Sequence, residues 1–155
     1  PLSLNEKASL FKLFLSDVGL LTTIYGKATK LKIVNGAAGI NKGGIFENVV
    51  AQELTAHGYA SYYYVSKKFG ELDFVLEHDG HVLPIEVKSG KDYTRHSALD
   101  NVLNVEEYGI SEAFVFSSAN ISVDGKVVYY PVYMAMFLSE DIEADPVLPL
   151  SRFSF

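Results

Sequence analysis

The sequence predicts an α/β fold in which helices flank both sides of a mixed β-sheet. The first observation is the pair Asp79-Gly80, a strong two-residue hairpin signal between two alternating segments. The second is an amphipathic helical pattern at residues 45–57, before the hairpin. The third is another helical pattern after the hairpin, followed by two apolar strand-like segments. The order helix, strand, hairpin, helix, strand, strand is typical of a mixed sheet covered by helices.

Two interpretations fit the N-terminal stretch at residues 11–16. Its alternation predicts a short strand with Phe11, Leu13 and Leu15 on one side. The spacing of Leu4, Ala8, Phe11 and Leu15 also fits one stripe of a helix. The sequence leaves both interpretations open.

A helix is predicted to begin after Asp17, whose carboxylate can cap its first turn. Residues 26–44 are rich in lysine, glycine, alanine and asparagine, and they predict an irregular, mobile connection. We therefore divide the chain into an N-terminal segment with this connection, an α/β core and an irregular acidic tail: residues 1–44, 45–138 and 139–155.

The predicted core begins with the helix at residues 45–57, which Gly58 ends. An aromatic strand follows at residues 59–66. After the hairpin we expect, in order, a helix, two strands and a short final helix: near residues 97–108, at 113–117, at 126–130 and at 131–138.

The hairpin turn fixes which residues pair across it. If Asp79 and Gly80 form the turn, Asp73 lies directly opposite Glu86. Because side chains alternate along a strand, four polar residues then share one face: Glu71, Asp73, Glu86 and Lys88. The other face is wholly apolar and is expected in the core, with three cross-strand pairs: Leu72 with Val87, Phe74 with Ile85, and Leu76 with Leu83.

The opposed carboxylates predict a metal site. Two carboxylates directly across a strand pair repel each other, so either one is protonated or a cation lies between them. Mg²⁺ and Mn²⁺ take oxygen ligands from one or two carboxylates and keep several waters. We therefore predict Asp73 and Glu86 as ligands, with Lys88 orienting or deprotonating a water or offsetting phosphate charge. The alternative is a charged outer face on which Glu71 and Lys88 form an ordinary surface pair.

Composition narrows the class of protein. The chain has 155 residues, 48% of them hydrophobic, which is enough for one domain with a core. It has no cysteine, which excludes disulfide frameworks, zinc–thiolate sites and cysteine nucleophiles and suits a reducing cytoplasm. We find no signal peptide and no apolar run that could span a bilayer, so we expect no membrane partner. The chain begins at Pro1 without a methionine, and we expect a fragment of a longer protein.

The charge is unevenly distributed along the chain. The net charge of -6 disfavours a simple DNA-coating protein. Residues 1–45 carry six lysines and two acidic residues, a net of +4, and the remainder carries a net of -10. Any contact with DNA or RNA is expected to use these lysines together with Lys67, Lys68, Lys88, Lys91 and Arg95. The alternative is that most of these side chains are simply solvated.

Four phrases of the sequence resemble, in the expected order, the uncharacterised C-terminal domain of many prokaryotic AAA-type ATPases. They are KLFLSDVGLL at residues 12–21, GIFENVVAQEL at 44–54, GELDF at 70–74 and PIEVKSG at 84–90. The acidic residue on an early helix, the aspartate on a following strand and the later Glu-x-Lys also resemble the PD-(D/E)xK nuclease-like fold. The resemblance implies a restriction-endonuclease-like mixed sheet, a prokaryotic source and an ATPase module N-terminal to this chain.

The nuclease-like resemblance implies four catalytic positions: Glu47, Asp73, Glu86 and Lys88. Glu47 would complete the site, directly or through water, if its helix packs across the strand ends. Its alternative role is that of a solvated residue that complements the helix dipole. The Val87 backbone carbonyl could supply a further oxygen to the metal.

Two functions follow as hypotheses. The first is Mg²⁺- or Mn²⁺-dependent hydrolysis of phosphodiester bonds in DNA or RNA. The second is a non-catalytic module of the same fold that regulates, targets or oligomerises the attached ATPase. It rests on the acidic charge and on the apolar and aromatic content from Tyr129 onward. The second hypothesis predicts a partner contact or homo-oligomer that survives loss of the carboxylates.

Overall fold

The structure is a computed structural model that describes residues 1–7, 9–37 and 42–139. A six-stranded sheet flanked by helices confirms the predicted α/β class. The helices are α1 (Val18–Ile24), α2 (Gly26–Val34), α3 (Gly43–Ala56) and α4 (Ser97–Leu103). The strands are β1 (Tyr62–Ser66), β2 (Gly70–His78), β3 (His81–Val87), β4 (Ala113–Ser117), β5 (Ser122–Asp124) and β6 (Val127–Pro131). Beyond its first residue, the predicted acidic tail lies outside the described residues.

The sheet is mixed, with the strand order β1-β2-β3-β4-β6-β5. Strands β1, β2 and β3 pair antiparallel, β3 with β4 and β4 with β6 pair parallel, and β5 pairs antiparallel with β6. A parallel neighbour requires a crossover connection, which α4 supplies between β3 and β4. The carboxyl end of β3 therefore lies in the middle of the sheet.

The turn between β2 and β3 has the predicted form. Asp79 (φ 47°) and Gly80 (φ 76°) both have positive φ, as a type I′ hairpin turn requires. The register that the turn predicts is confirmed by three cross-strand pairs: His78–His81, Leu76–Leu83 and Phe74–Ile85.

Each face of the sheet packs against a helix. On one face, Val50 and Leu54 of α3 are fully buried in a cluster that includes Phe74, Leu76 and Ile85. The residues that share the second cluster come from α4 and from the other side of the strands: Leu72, Val75, Leu99, Val102 and Val115 among them. Full burial of one such aliphatic or aromatic side chain contributes about 1.5–3 kcal/mol. The first cluster contains Ile85 and Val87 and so holds the carboxyl end of β3 against the α3 side of the sheet.

The predicted apolar face of the hairpin is wrong at one position. Leu72 does not share the Val87 cluster but packs with Val75 on the opposite face. The cause is a β-bulge: Tyr62 pairs with Val75 and Tyr64 pairs with Leu72, so two intervening residues of β2 oppose one of β1. The extra residue inverts the alternation at the start of β2.

Of the predictions for the N-terminal segment, the helix cap is confirmed and the strand is wrong. Asp17 caps α1 as predicted, with its Oδ1 accepting the Leu20 N–H at 2.7 Å. The predicted strand at residues 11–16 does not form, and Phe11 and Leu13 are exposed instead of buried. The stretch makes no helix either. It runs as irregular chain against α3, where the backbone of Leu15 bonds to the side chain of Asn48.

The predicted irregular connection at residues 26–44 is also wrong where the structure describes it. Its first half forms α2, which ends in a left-handed Gly36 (φ 66°). The sequence signal was weak because α2 has no apolar stripe and buries no residue. Helix α3 begins at Gly43, inside the same stretch.

The remaining differences concern short elements. Strand β1 is shorter than predicted, and α4 ends at Leu103 with a 3-10 turn, Glu106–Tyr108, after it. The final helix is a 3-10 helix, Val132–Phe137. Strand β5 was not predicted, and all three of its residues are exposed, so it carries no burial pattern.

Candidate functional site

The site forms where the β2–β3 ladder ends. The last backbone pair in that direction is Phe74–Ile85. Beyond it, the Asp73 carboxylate reaches across, and its Oδ2 accepts the Val87 N–H at 2.9 Å. Val87 thus contributes its N–H to holding Asp73. The side chain replaces a backbone acceptor and is fixed next to β3.

Glu86 lies on the neighbouring strand β3, and Lys88 follows two residues later, just beyond the end of that strand. Glu86 is only 7% exposed, and its Oε1 accepts a hydrogen bond from Lys88 Nζ at 2.7 Å. Its second oxygen, Oε2, is buried and has no hydrogen-bond partner among the described residues. A buried carboxylate oxygen without a partner is costly, because it has lost water and gained nothing in return.

The electrostatics of the site disfavour the ionised form of Glu86. Burial raises the pKa of the Glu86 carboxyl above its ordinary value, and the nearby Asp73 charge raises it further. The hydrogen bond and positive charge of Lys88 oppose that shift without cancelling it. The predicted repulsion between Asp73 and Glu86 is therefore present in the structure.

Glu47 belongs to the same electrostatic group. It lies on the second turn of α3 and is half-buried, so it is not the fully solvated residue of the alternative interpretation. Burial raises the pKa of its carboxyl first, and the charge of Asp73 adds to the shift. Lys12 and Lys88 act in the opposite direction. Asp73 and Lys88 thus act on both Glu47 and Glu86, which links the four predicted site residues.

Lys12 is a member of this group that sequence reasoning missed. Its Nζ lies 2.6 Å from Glu71 Oε1 and 3.4 Å from Asp73 Oδ1, and 5.5 Å from the centre of the Tyr63 ring. Burial lowers the pKa of Lys12, but the hydrogen bond to Glu71 and the charges of Asp73 and Glu71 outweigh this and raise it. The only sequence signal was its place in the phrase at residues 12–21.

The predicted pair between Glu71 and Lys88 is wrong. Glu71 pairs with Lys12, and Lys88 pairs with Glu86. The bulge explains the exchange: with Leu72 turned towards α4, alternation turns Glu71 to the other side of the sheet.

The oxygens of Asp73 and Glu86 suit a hard divalent cation that needs few protein ligands. Among the residues that the structure describes, no group of three or more His, Cys, Asp or Glu side chains is arranged to hold a metal. Mg²⁺ does not need such a cage, because one or two carboxylates with water complete its shell. Asp73 and the partnerless Glu86 Oε2 fit that requirement, because the two carboxylates are close enough for the charge of Asp73 to raise the pKa of Glu86.

The histidines hold other parts of the fold together. His78 Nδ1 lies 2.8 Å from Tyr59 Oη, and the buried His96 Nε2 lies 2.7 Å from Tyr129 Oη. Both contacts join polar side chains of different parts of the fold, and of these two histidines only His96 is buried.

A family model described as a domain of unknown function, DUF4143, matches residues 42–134 of the chain. That range is more than half of the sequence and contains all six strands with α3 and α4. The chain belongs to the DUF4143 family. The DUF4143 match includes Glu47, Asp73, Glu86 and Lys88, whereas Lys12 precedes it. No curated protein matches the chain.

Among residues 1–7, 9–37 and 42–139 of this DUF4143 protein, no helix is both long enough and apolar enough to cross a bilayer.

Proposed function

We propose that this DUF4143 domain binds Mg²⁺ or Mn²⁺ through Asp73 and Glu86 and hydrolyses phosphodiester bonds of nucleic acid. The observation that carries the proposal is the buried Glu86 Oε2, which has no hydrogen-bond partner among the described residues. A chain gains nothing structurally from such an atom, and a cation between Glu86 and Asp73 would satisfy it. The nuclease-like resemblance of the sequence supports the same assignment.

Each residue of the site has a defined role in this proposal. Asp73, held by the Val87 N–H, and Glu86, held by Lys88, present carboxylate oxygens to the cation. A bound divalent cation supplies Lewis-acid polarisation of the phosphodiester. The Lys88 ammonium stabilises the negative charge that develops on the phosphoryl oxygens in the transition state. Glu47, whose raised pKa favours its protonated form, can exchange a proton with water near the site.

A basic cavity supports a phosphate-containing substrate. A cavity of about 370 Å³ adjoins Lys88, and Lys91 and Arg95 line it together with Asp92. Cationic side chains that follow a catalytic lysine can position the backbone of DNA or RNA, because phosphate contacts carry most of the affinity for nucleic acid. Because the net charge of the chain is -6, such binding would depend on locally basic surface of this kind.

A calorimetric titration with Mn²⁺ tests the cation site. The wild type is expected to bind, and Asp73→Ala to lose binding. Glu107→Gln removes an exposed carboxylate that is not one of the proposed ligands, and it should bind Mn²⁺ like the wild type. If Mn²⁺ up to millimolar concentration leaves no heat of binding in the wild type, the proposed function is wrong.

A cleavage assay then tests the reaction. Single- and double-stranded DNA and RNA are incubated with the wild type and with Lys88→Met in Mg²⁺ or Mn²⁺. We expect products only with the wild type, because Lys88→Met retains both ligands and removes the charge that stabilises the transition state. Equal cleavage by both proteins would point to a contaminating nuclease.

The proposed setting is a cytoplasmic prokaryotic protein in which an AAA-type ATPase module precedes this domain. The order of the four sequence phrases supports that setting, as does the absence of cysteine. In this arrangement the ATPase would deliver nucleic acid to the site.

A second candidate function is a non-catalytic interaction module of that ATPase. The exposed apolar side chains of α1 and α2 favour it: Leu20 (53% exposed), Ile24 (70%), Leu31 (54%) and Val34 (74%). Such a surface is typical of a contact with another folded unit. Light scattering during size-exclusion chromatography distinguishes the two functions. An oligomer that Asp73→Ala leaves intact and Ile24→Asp dissociates, in a protein without cation binding, would establish the second.

A further inference from the structure

We infer that Lys12 is a built-in competitor for the cation site, so that a divalent ion must displace its ammonium group from Asp73. The inference rests on the proposed function, since it requires that Asp73 and Glu86 bind divalent cations. It adds that the segment N-terminal to the DUF4143 match sets the affinity of the site.

The contacts of Asp73 leave one oxygen for a cation, and Lys12 faces that oxygen. Oδ2 is engaged by the Val87 N–H, whereas Oδ1 lies 3.4 Å from Lys12 Nζ. A divalent ion at Oδ1 would lie close to the ammonium group, and like charges at such distances repel strongly outside bulk water. The ion and Lys12 therefore compete for the same carboxylate.

Lys12 is not a surface lysine that happens to lie near an acid. Its side chain is only 23% exposed, its Nζ is within 2.6 Å of Glu71 Oε1, and the Tyr63 ring lies beside it. Glu71 gives the ammonium group an alternative partner that does not belong to the proposed ligand pair. Displacement from Asp73 can thus leave Lys12 paired with Glu71.

The chain on the C-terminal side of Lys12 is anchored to α3. The Leu15 N–H donates to Asn48 Oδ1 at 2.8 Å, Asn48 Nδ2 donates to the Leu15 carbonyl at 3.0 Å, and the Val18 N–H donates to Gln52 Oε1 at 2.9 Å. Asn48 is almost fully buried. These bonds hold the segment in place, so the backbone near Lys12 keeps its position relative to Glu71 and Asp73.

The residues on either side of Lys12 are free of such anchoring. Phe11 is 69% exposed and Leu13 is 86% exposed, so neither packs into the core. Between them, Lys12 can move away from Asp73 without breaking the bonds at Asn48. In this inference only the Lys12 side chain moves, while the backbone of its segment stays bound to Asn48.

Mn²⁺ titrations of Lys12 variants test the inference. Lys12→Met keeps the length of the side chain and removes its charge. We expect it to bind Mn²⁺ about tenfold more tightly, because the ion no longer competes with an ammonium group for Asp73. Lys12→Arg keeps a competing cation and should stay close to the wild type. Lys27→Met, which removes an exposed charge from α2, is the matched control for net charge.

Each outcome of these titrations either supports the inference or overturns it. Tighter binding by Lys12→Met than by both the wild type and Lys27→Met supports the inference, as does binding by Lys12→Met alone. Equal or weaker binding by Lys12→Met, in a variant whose circular dichroism and melting are those of a folded protein, overturns it and leaves the proposed cation site standing. If neither wild type nor Lys12→Met binds Mn²⁺, the proposed function and the inference both fail. Should Lys12→Met not fold, the comparison is repeated with Lys12→Gln.

Discussion

Asp73 accepts the backbone N–H of Val87 through Oδ2 at 2.9 Å, at the point where the β2–β3 ladder ends. One carboxylate therefore serves the fold with one oxygen and faces the candidate site with the other. This double role couples the stability of the hairpin to the chemistry of the site.

Replacing Asp73 should separate the two roles. Asp73→Ala leaves the Val87 N–H without its acceptor and is expected to lower the free energy of unfolding by about 1–3 kcal/mol. Asp73→Asn retains an amide oxygen for that N–H and should cost less, while both variants lose affinity for Mn²⁺. Urea unfolding monitored by circular dichroism, together with calorimetry, measures both effects. If Asp73→Asn and Asp73→Ala unfold at the same urea concentration, the Val87 hydrogen bond contributes nothing to stability.

Replacing Glu86 should make the protein more stable and less able to bind a cation. Glu86→Gln removes the buried charge, and its amide oxygen can still accept from Lys88 Nζ. We expect the free energy of unfolding at neutral pH to rise by about 1 kcal/mol, since a neutral amide loses less on burial than a carboxylate. Mn²⁺ binding should fall at the same time. Destabilisation by Glu86→Gln would show that the ionised carboxylate is well accommodated without a cation.

The same residue predicts a pH dependence of stability. Burial, followed by the charge of Asp73, raises the pKa of native Glu86 above 4.5, the ordinary value that applies in the unfolded chain. Between these values the native state binds more protons than the unfolded state, so the free energy of unfolding falls as pH rises. The contribution is complete below pH 4.5 and is lost as pH passes the native pKa. Unfolding of the wild type and Glu86→Gln across this range should differ more at neutral pH than below pH 4.5, and a constant difference would contradict the assignment.

Asn48 should hold the N-terminal segment on α3. Asn48→Ala removes two hydrogen bonds to Leu15, so we expect a loss of about 2 kcal/mol in the free energy of unfolding. Limited proteolysis should also cut the segment faster, because its backbone is no longer fixed. Asn101→Ala, which removes an exposed amide that bonds to Phe69, is the control and should have a smaller effect. Equal proteolysis rates for Asn48→Ala and the wild type would contradict the anchor.

Two glycines should respond to alanine in opposite ways. Gly70 has φ +100°, and a Cβ there would lie 3.0 Å from Ala98 Cβ of α4, so Gly70→Ala is expected to destabilise the protein by about 1–3 kcal/mol. Gly44 lies in α3 with open space where its Cβ would be, and Gly44→Ala should stabilise by about 0.5–1 kcal/mol. Thermal unfolding of both variants tests the pair. Equal melting temperatures would contradict both the positive φ of Gly70 and the close approach of α4 to β2.

Much of the hairpin and its neighbours could be predicted because the signals are local. The pair Asp79-Gly80 fixes the turn, the turn fixes the register, and the register brings Asp73 towards Glu86. The capping of α1 by Asp17 is local in the same way. The functional assignment of these residues stays a prediction until cation binding is measured.

What the sequence by itself determined is the α/β class, the β2–β3 turn and the spacing that places Glu86 and Lys88 two residues apart. The tertiary structure alone decided the bulge in β2, the docking of the N-terminal segment on Asn48 and the approach of Lys12 to Asp73. The physical reason is range. Lys12 and Asp73 are 61 positions apart, and no propensity or periodicity links them. Their contact arises only when packing against α3 and β1 fixes where each stretch of chain lies.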